Sequence, residues 1–116
     1  MKKILIINGP NLNLLGLREP DIYGPMTLED IKNYTENKLK SEKQNVELEW
    51  YQSNIEGELV ESIQTAINTE YDALIVNPAA YSHTSVAMLD ALRMIKVPII
   101  EVHLTNVYSR EEFRQT

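Results

Sequence analysis

Apolar residues fall along this chain in two kinds of pattern. The first is short and unbroken, as in Ile4-Leu5-Ile6-Ile7 and Ala73-Leu74-Ile75-Val76. Runs of β-branched residues and leucine suit strands buried on both faces. A third run, Val97-Pro98-Ile99-Ile100-Glu101-Val102-His103, opens the same way and ends polar, which predicts a strand over 97–103. Between 46 and 51 the pattern alternates: Val46, Leu48 and Trp50 stand against Glu47, Glu49 and Tyr51. That predicts a strand with one wetter face, at a sheet edge. The second pattern is helical. Thr27, with Asp30 three residues on, caps a helix whose apolar positions are Leu28, Ile31, Tyr34 and Leu39. A second helix is predicted from Glu56 to Thr69, with Leu59, Val60, Ile63, Ala66 and Ile67 on one stripe. A third runs from Ser85 to Met94 and turns Val86, Leu89 and Leu92 inward.

Strand and helix alternate four times, which implies a parallel sheet with helices on both faces. In such sheets ligands bind outside the carboxyl ends of the strands, at the point where the strand order reverses. Three predicted strands end in polar clusters: Asn8-Gly9-Pro10-Asn11, Asn77 through His83, and Glu101-Val102-His103. The segment from Gly9 to Met26 holds three glycines and three prolines and reads as a functional loop or lid. Near the other end, Ser109-Arg110-Glu111-Glu112 forms a capping box with four residues after it. Those four are too few for an isolated helix to hold. The expectation is a fold whose fifth strand and terminal helix lie beyond these residues.

Composition narrows the partners. The 116 residues suit one domain, spanning 1–116, and 43% hydrophobic with 24% charged content is that of a globular chain. A net charge of −6 argues against nucleic acid as the main partner, since phosphate binding wants a basic face. A few local arginines can still hold an anionic small molecule. With no cysteine, disulfides and thiolate metal sites are excluded. The apolar run after Met1-Lys2-Lys3 is too short for a signal peptide core or a membrane span, so the expected location is the cytoplasm.

The polar strand ends carry the chemistry. Successive strand side chains point to opposite sides, so Glu101 and His103 share a side. A carboxylate there fixes the imidazole tautomer and stabilises its protonated form, as an acid/base catalyst requires. Asn8-Gly9-Pro10-Asn11 reads equally as a turn, and neither phosphate-loop spacing is present. In the loop, Arg18 and Tyr23 are five apart with Pro20 between them. An arginine brought beside a phenol pulls its pKa down from about 10 and makes it a base. The alternative is a solvated arginine and a packed tyrosine. His83 sits between Ser82 and Thr84 without a nucleophile elbow. A zinc site from His83, His103 and Glu101 is conceivable, but no compact ligand spacing supports it. Arg110 and Arg114 are four apart, on one face of the incipient helix, turned either to water or to an anion.

Five motifs taken in order resemble one family. They are Asn8-Gly9-Pro10-Asn11-Leu12-Asn13, Arg18-Glu19-Pro20 with Tyr23-Gly24, Gln52-Ser53-Asn54 with Glu56-Gly57, Asn77-Pro78 with His83-Thr84-Ser85, and Glu101-Val102-His103 with Arg110 to Arg114. Together they resemble type II 3-dehydroquinate dehydratase. The resemblance implies a flavodoxin-like, doubly wound parallel sheet, lacking here the family's C-terminal strand and helix. It also implies a dodecamer of trimers, no metal and no cofactor. The implied reaction is dehydration of 3-dehydroquinate to 3-dehydroshikimate, in the shikimate pathway of aromatic amino acid biosynthesis, by anti elimination through an enolate. Under it Tyr23 is the base, Arg18 its activator, Asn11 the holder of a water on the enolate oxygen, and His103 the acid oriented by Glu101. Asn77 and the amides of Leu104 and Thr105 grip the substrate, with His83, Arg110 and Arg114. Asp90 reaches a neighbouring subunit's site.

The residue types fit that chemistry. A proton beside a ketone is weakly acidic, so a strong base and a stabilised enolate are both needed. No lysine stands among the motifs to form a Schiff base. The rival reading is a catalytically inactive flavodoxin-like binding or regulatory module. A receiver domain would place carboxylates where Asn8 and Asn77 stand, and magnesium would find none there.

Overall fold

The computed structural model describes residues 1–17, 25–82 and 85–103. Among the described residues there are four strands: β1 (Lys2–Asn8), β2 (Val46–Gln52), β3 (Ala73–Asn77) and β4 (Ile99–Glu101). Three helices alternate with them: α1 (Leu28–Ser41), α2 (Glu56–Asn68) and α3 (Val86–Leu92). All strand pairs are parallel, in the order β2-β1-β3-β4. The unbroken apolar runs take the two central places and the alternating strand takes an edge, as the patterns require. The order reverses between β1 and β3, and there the register sets Asn8 beside Asn77 on one side and Gln52 on the other.

One face of the sheet holds the core. Leu5 and Ile7 of β1 and Leu74 and Val76 of β3 pack on Leu59 and Ile63 of α2 and on Met88 and Ala91 of α3. Loss of water from these side chains is the main force holding the layers together, at about 25 cal/mol per Å² of apolar surface. α1 belongs to the opposite face. Its first turn joins Asn8, Trp50 and Gln52 around a cleft of about 300 Å³. Thr27 and Asp30 form the predicted capping box, each side chain accepting from the other's amide at 3.0 Å.

Several predicted positions shift. In α3, Met88 and Ala91 are buried and Leu92 packs beside them, while Val86 is 77% exposed and Leu89 half-exposed. The phase is set by Ser85, which lies outside the helix and accepts from the Met88 amide at 3.0 Å. That puts 88, 91 and 92 on the core-facing stripe. Ile67 of α2 and Tyr34 of α1 are exposed rather than inward, and α1 buries no residue fully. The last strand is three residues, not seven. Pro98 has no N–H to give to a ladder, though its carbonyl accepts from Leu74 at 2.9 Å. Past Glu101, the Val102 amide still donates to Val76 at 2.9 Å, so the chain keeps its course beside β3. The capping box at Ser109–Glu112 lies outside the described residues.

Candidate active site

Four chain segments meet at the carboxyl end of the sheet. After β1 the backbone turns at Gly9, whose N–H donates to the Asn77 carbonyl at 2.7 Å. A Cβ at Gly9 would stand 2.5 Å from the carbonyl oxygen of Pro78, so only glycine lets the β1 and β3 ends approach this closely. Asn11 follows in the left-handed region, with φ 66 and ψ −2, and begins a short 3-10 turn over Leu12–Leu14. Its amide donates to Asn54 Oδ1 at 2.8 Å. Gln52 Nε2 donates to the Gly9 carbonyl at 3.1 Å and to Asn54 Oδ1 at 3.2 Å. From the β3 end, the Tyr81 hydroxyl donates to the Asn54 carbonyl at 3.1 Å.

Asn77 closes β3 at 2% exposure. Its Oδ1 accepts from the Ala79 amide at 3.2 Å, which fixes the side chain in a local turn. The Nδ2 groups of Asn77 and of its neighbour Asn8 are buried and find no partner among the described residues. A buried donor without an acceptor costs about 1–3 kcal/mol. Two such donors at the reversal point make a floor suited to a ligand rich in oxygen acceptors. At the β4 end, His103 Nε2 lies 3.1 Å from Glu101 Oε1. The carboxylate accepts when that nitrogen carries its proton, which leaves Nδ1 to face a reactant. Both side chains are partly exposed.

A model of the Dehydroquinase class II family matches residues 2–116. This chain belongs to the class II dehydroquinase family. It is 51% identical over 115 residues to a 3-dehydroquinate dehydratase of Clostridium botulinum (strain Hall), covering 99% of this chain and 76% of that one. It is 49% identical over 113 residues to a 3-dehydroquinate dehydratase of Helicobacter acinonychis, covering 97% and 67%. The crystal structure of a type II dehydroquinase from Butyrivibrio crossotus superposes with a TM-score of 0.84 at 48% identity, over 98% of this chain and 78% of that one. The flavodoxin-like arrangement expected from the motifs is the family's fold, and the four-stranded order seen here agrees with it.

Within this class II dehydroquinase, the site residues read from the sequence divide in two. Asn11, Asn77, Glu101 and His103 stand at the carboxyl ends of β1, β3 and β4, on the same end of the sheet. Asp90 is exposed on α3. Arg18, Tyr23, His83, Leu104, Thr105, Arg110 and Arg114 lie outside the described residues, and with His83 goes the conceivable zinc set. The sequence reading gave no role to Gln52, Asn54 or Tyr81, which tie the strand-end loops together, nor to Asn8, whose amide lies beside that of Asn77. The signal for the first two was present, in the motif Gln52-Ser53-Asn54. An exposed polar residue after an edge strand, however, reads first as a turn.

Proposed function

We propose that the carboxyl end of this sheet is where the protein dehydrates 3-dehydroquinate to 3-dehydroshikimate, as a hydro-lyase of the shikimate pathway. Membership of the class II dehydroquinase family supports the reaction. The observation that carries the siting is the Glu101–His103 pair, held at 3.1 Å, with Glu101 in register with Val76, the residue before Asn77. Tyr23, activated as phenolate by Arg18, removes the C2 proton, and the C–H electrons pass into an enolate. Its oxygen is held by a water on Asn11. The enolate collapses, the C1–oxygen bond breaks, and His103 gives its proton to the departing hydroxyl, so that water leaves. Glu101 stabilises the imidazolium before that transfer and orients the ring. Asn77 with the amides of Leu104 and Thr105, and His83, Arg110 and Arg114, hold the carboxylate and ring hydroxyls.

The reaction needs no metal or cofactor on this reading, because base, acid and electrophile are all side chains or a held water. The protein works in the cytoplasm as a homo-oligomer, a dodecamer of trimers. Asp90 serves the neighbouring subunit's site there, and its exposure on α3 is compatible with that role. His103→Ala separates the two half-reactions. Elimination should fall by at least about 10²-fold, the scale of general acid catalysis, while exchange of the C2 proton with solvent partly persists. Loss of both together would contradict the acid assignment.

A further inference from the structure

We propose that Gln52 and Asn54 are positioning residues that clamp Asn11 in its left-handed conformation, a role that rests on Asn11 acting as assigned above. Asparagine enters the left-handed region at φ 66 more readily than other non-glycine residues, and its neighbours here hold it there. Here the holding is done from the neighbouring strand. One hydrogen bond runs from the Asn11 amide to Asn54 Oδ1, at 2.8 Å. The same oxygen accepts from Gln52 Nε2 at 3.2 Å, and that nitrogen also donates to the Gly9 carbonyl at 3.1 Å. The chain Gly9 carbonyl, Gln52 amide, Asn54 oxygen, Asn11 amide closes around the turn at residues 9–11. Gln52 Nε2 donates over its two shorter contacts, to Gly9 and Asn54, with Asn13 Oδ1 a longer third at 3.5 Å, and Asn54 Oδ1 accepts twice, which uses both its lone pairs. Tyr81 fastens the same point to the β3 end through the Asn54 carbonyl, at 3.1 Å.

The clamp is separable from the core. Asn54 is exposed, whereas its neighbour Ser53 is buried and bonds Glu58 at 2.5 Å and the Ile55 amide at 3.0 Å. Asn54 therefore serves the loop and Ser53 serves the fold. Displacing Asn11 moves whatever its side chain holds. A shift of about 1 Å in a positioning group can cost on the order of 10²-fold in rate.

Two swaps of nearly equal shape and equal added charge give opposite results on this account. Asn54→Asp keeps the accepting oxygen, and Gln52→Glu replaces the donor with an acceptor facing the Gly9 carbonyl. Measured with 3-dehydroquinate, Asn54→Asp keeps a kcat within about threefold of wild type, and Gln52→Glu loses on the order of 10²-fold with KM little changed. Asn54→Ala follows Gln52→Glu. Equal kcat in wild type and Gln52→Glu, or equal loss in Asn54→Asp and Asn54→Ala, overturns the clamp and leaves the dehydratase reading standing. Hydrogen exchange of the Asn11 amide supplies a readout independent of turnover. It is slow in wild type and Asn54→Asp and fast in Asn54→Ala. An inactive wild type would overturn the assignment of the site, and the clamp is then judged on exchange, where equal rates in wild type and Asn54→Ala overturn it.

Discussion

Gly9 shows how one residue decides the geometry of the site. Its missing Cβ lets the β1 turn press against Pro78, 2.5 Å from where a methyl group would stand. Gly9→Ala should push the β1 and β3 ends apart. The expected cost is about 1–3 kcal/mol, as for other overpacked positions. Dehydratase turnover should fall by more than that loss of stability explains at temperatures where the variant is fully folded, because Asn11 and Asn77 flank the contact. Urea unfolding paired with steady-state kinetics checks both parts, and unchanged kcat in a folded variant would contradict the account. The glycine was legible in the sequence only as a turn former. Its reason is the Pro78 backbone, more than half the chain away, which no local pattern encodes. Glu101 and His103 were legible because strand alternation is local. Two residues apart on an extended chain must share a side, and the 3.1 Å contact follows.

At the scale of elements, the same division holds. β1, β3 and the edge place of β2 follow from whether apolar residues run on or alternate. The phase of α3 does not, because Val86, Leu89 and Leu92 make as good a helical stripe as Met88, Ala91 and Leu92 until the cap at Ser85 fixes where the helix starts. The amino ends of the strands are joined by a second polar group, far from the site. Tyr71, 8% exposed, donates its hydroxyl to Glu49 of β2, and Lys3 of β1 reaches both, 3.8 Å from Glu49 and 5.1 Å from the Tyr71 ring centre. Burial first, then the hydrogen bond to Glu49 and the charges of Glu49 and Glu47, push the phenol up from 10.0 to about 12. The folded chain thus keeps this proton where the unfolded chain has lost it. The stabilisation is full below pH 10 and disappears as pH rises towards about 12. Wild type should lose more stability across that window than Tyr71→Phe does. Parallel losses in urea titrations of the two proteins would show that Tyr71 is not the titrating group.

Among the described residues, the sheet gathers the candidate site residues at its carboxyl end and the core on one face. A parallel sheet was inferred from the alternation of elements, and the reversal between β1 and β3, which the structure supplies, is where Asn8 and Asn77 come side by side. What the patterns left open is how far each strand is covered. Ile99 and Ile100 of β4, an edge strand among the described residues, are partly exposed, at 37% and 53%, although their run is apolar. An apolar run specifies that a strand is suited to burial, and neighbours decide whether it is buried. Turnover of 3-dehydroquinate by this chain is directly measurable. Dehydration of 3-dehydroquinate creates a conjugated product that absorbs in the ultraviolet, so turnover can be followed continuously for this chain and for Tyr23→Phe, which keeps the ring and removes the ionisable oxygen. The account predicts product formation by the wild-type chain and a rate lower by at least about 10²-fold in the variant. No product from the folded wild-type chain, or equal rates from the two proteins, would contradict it.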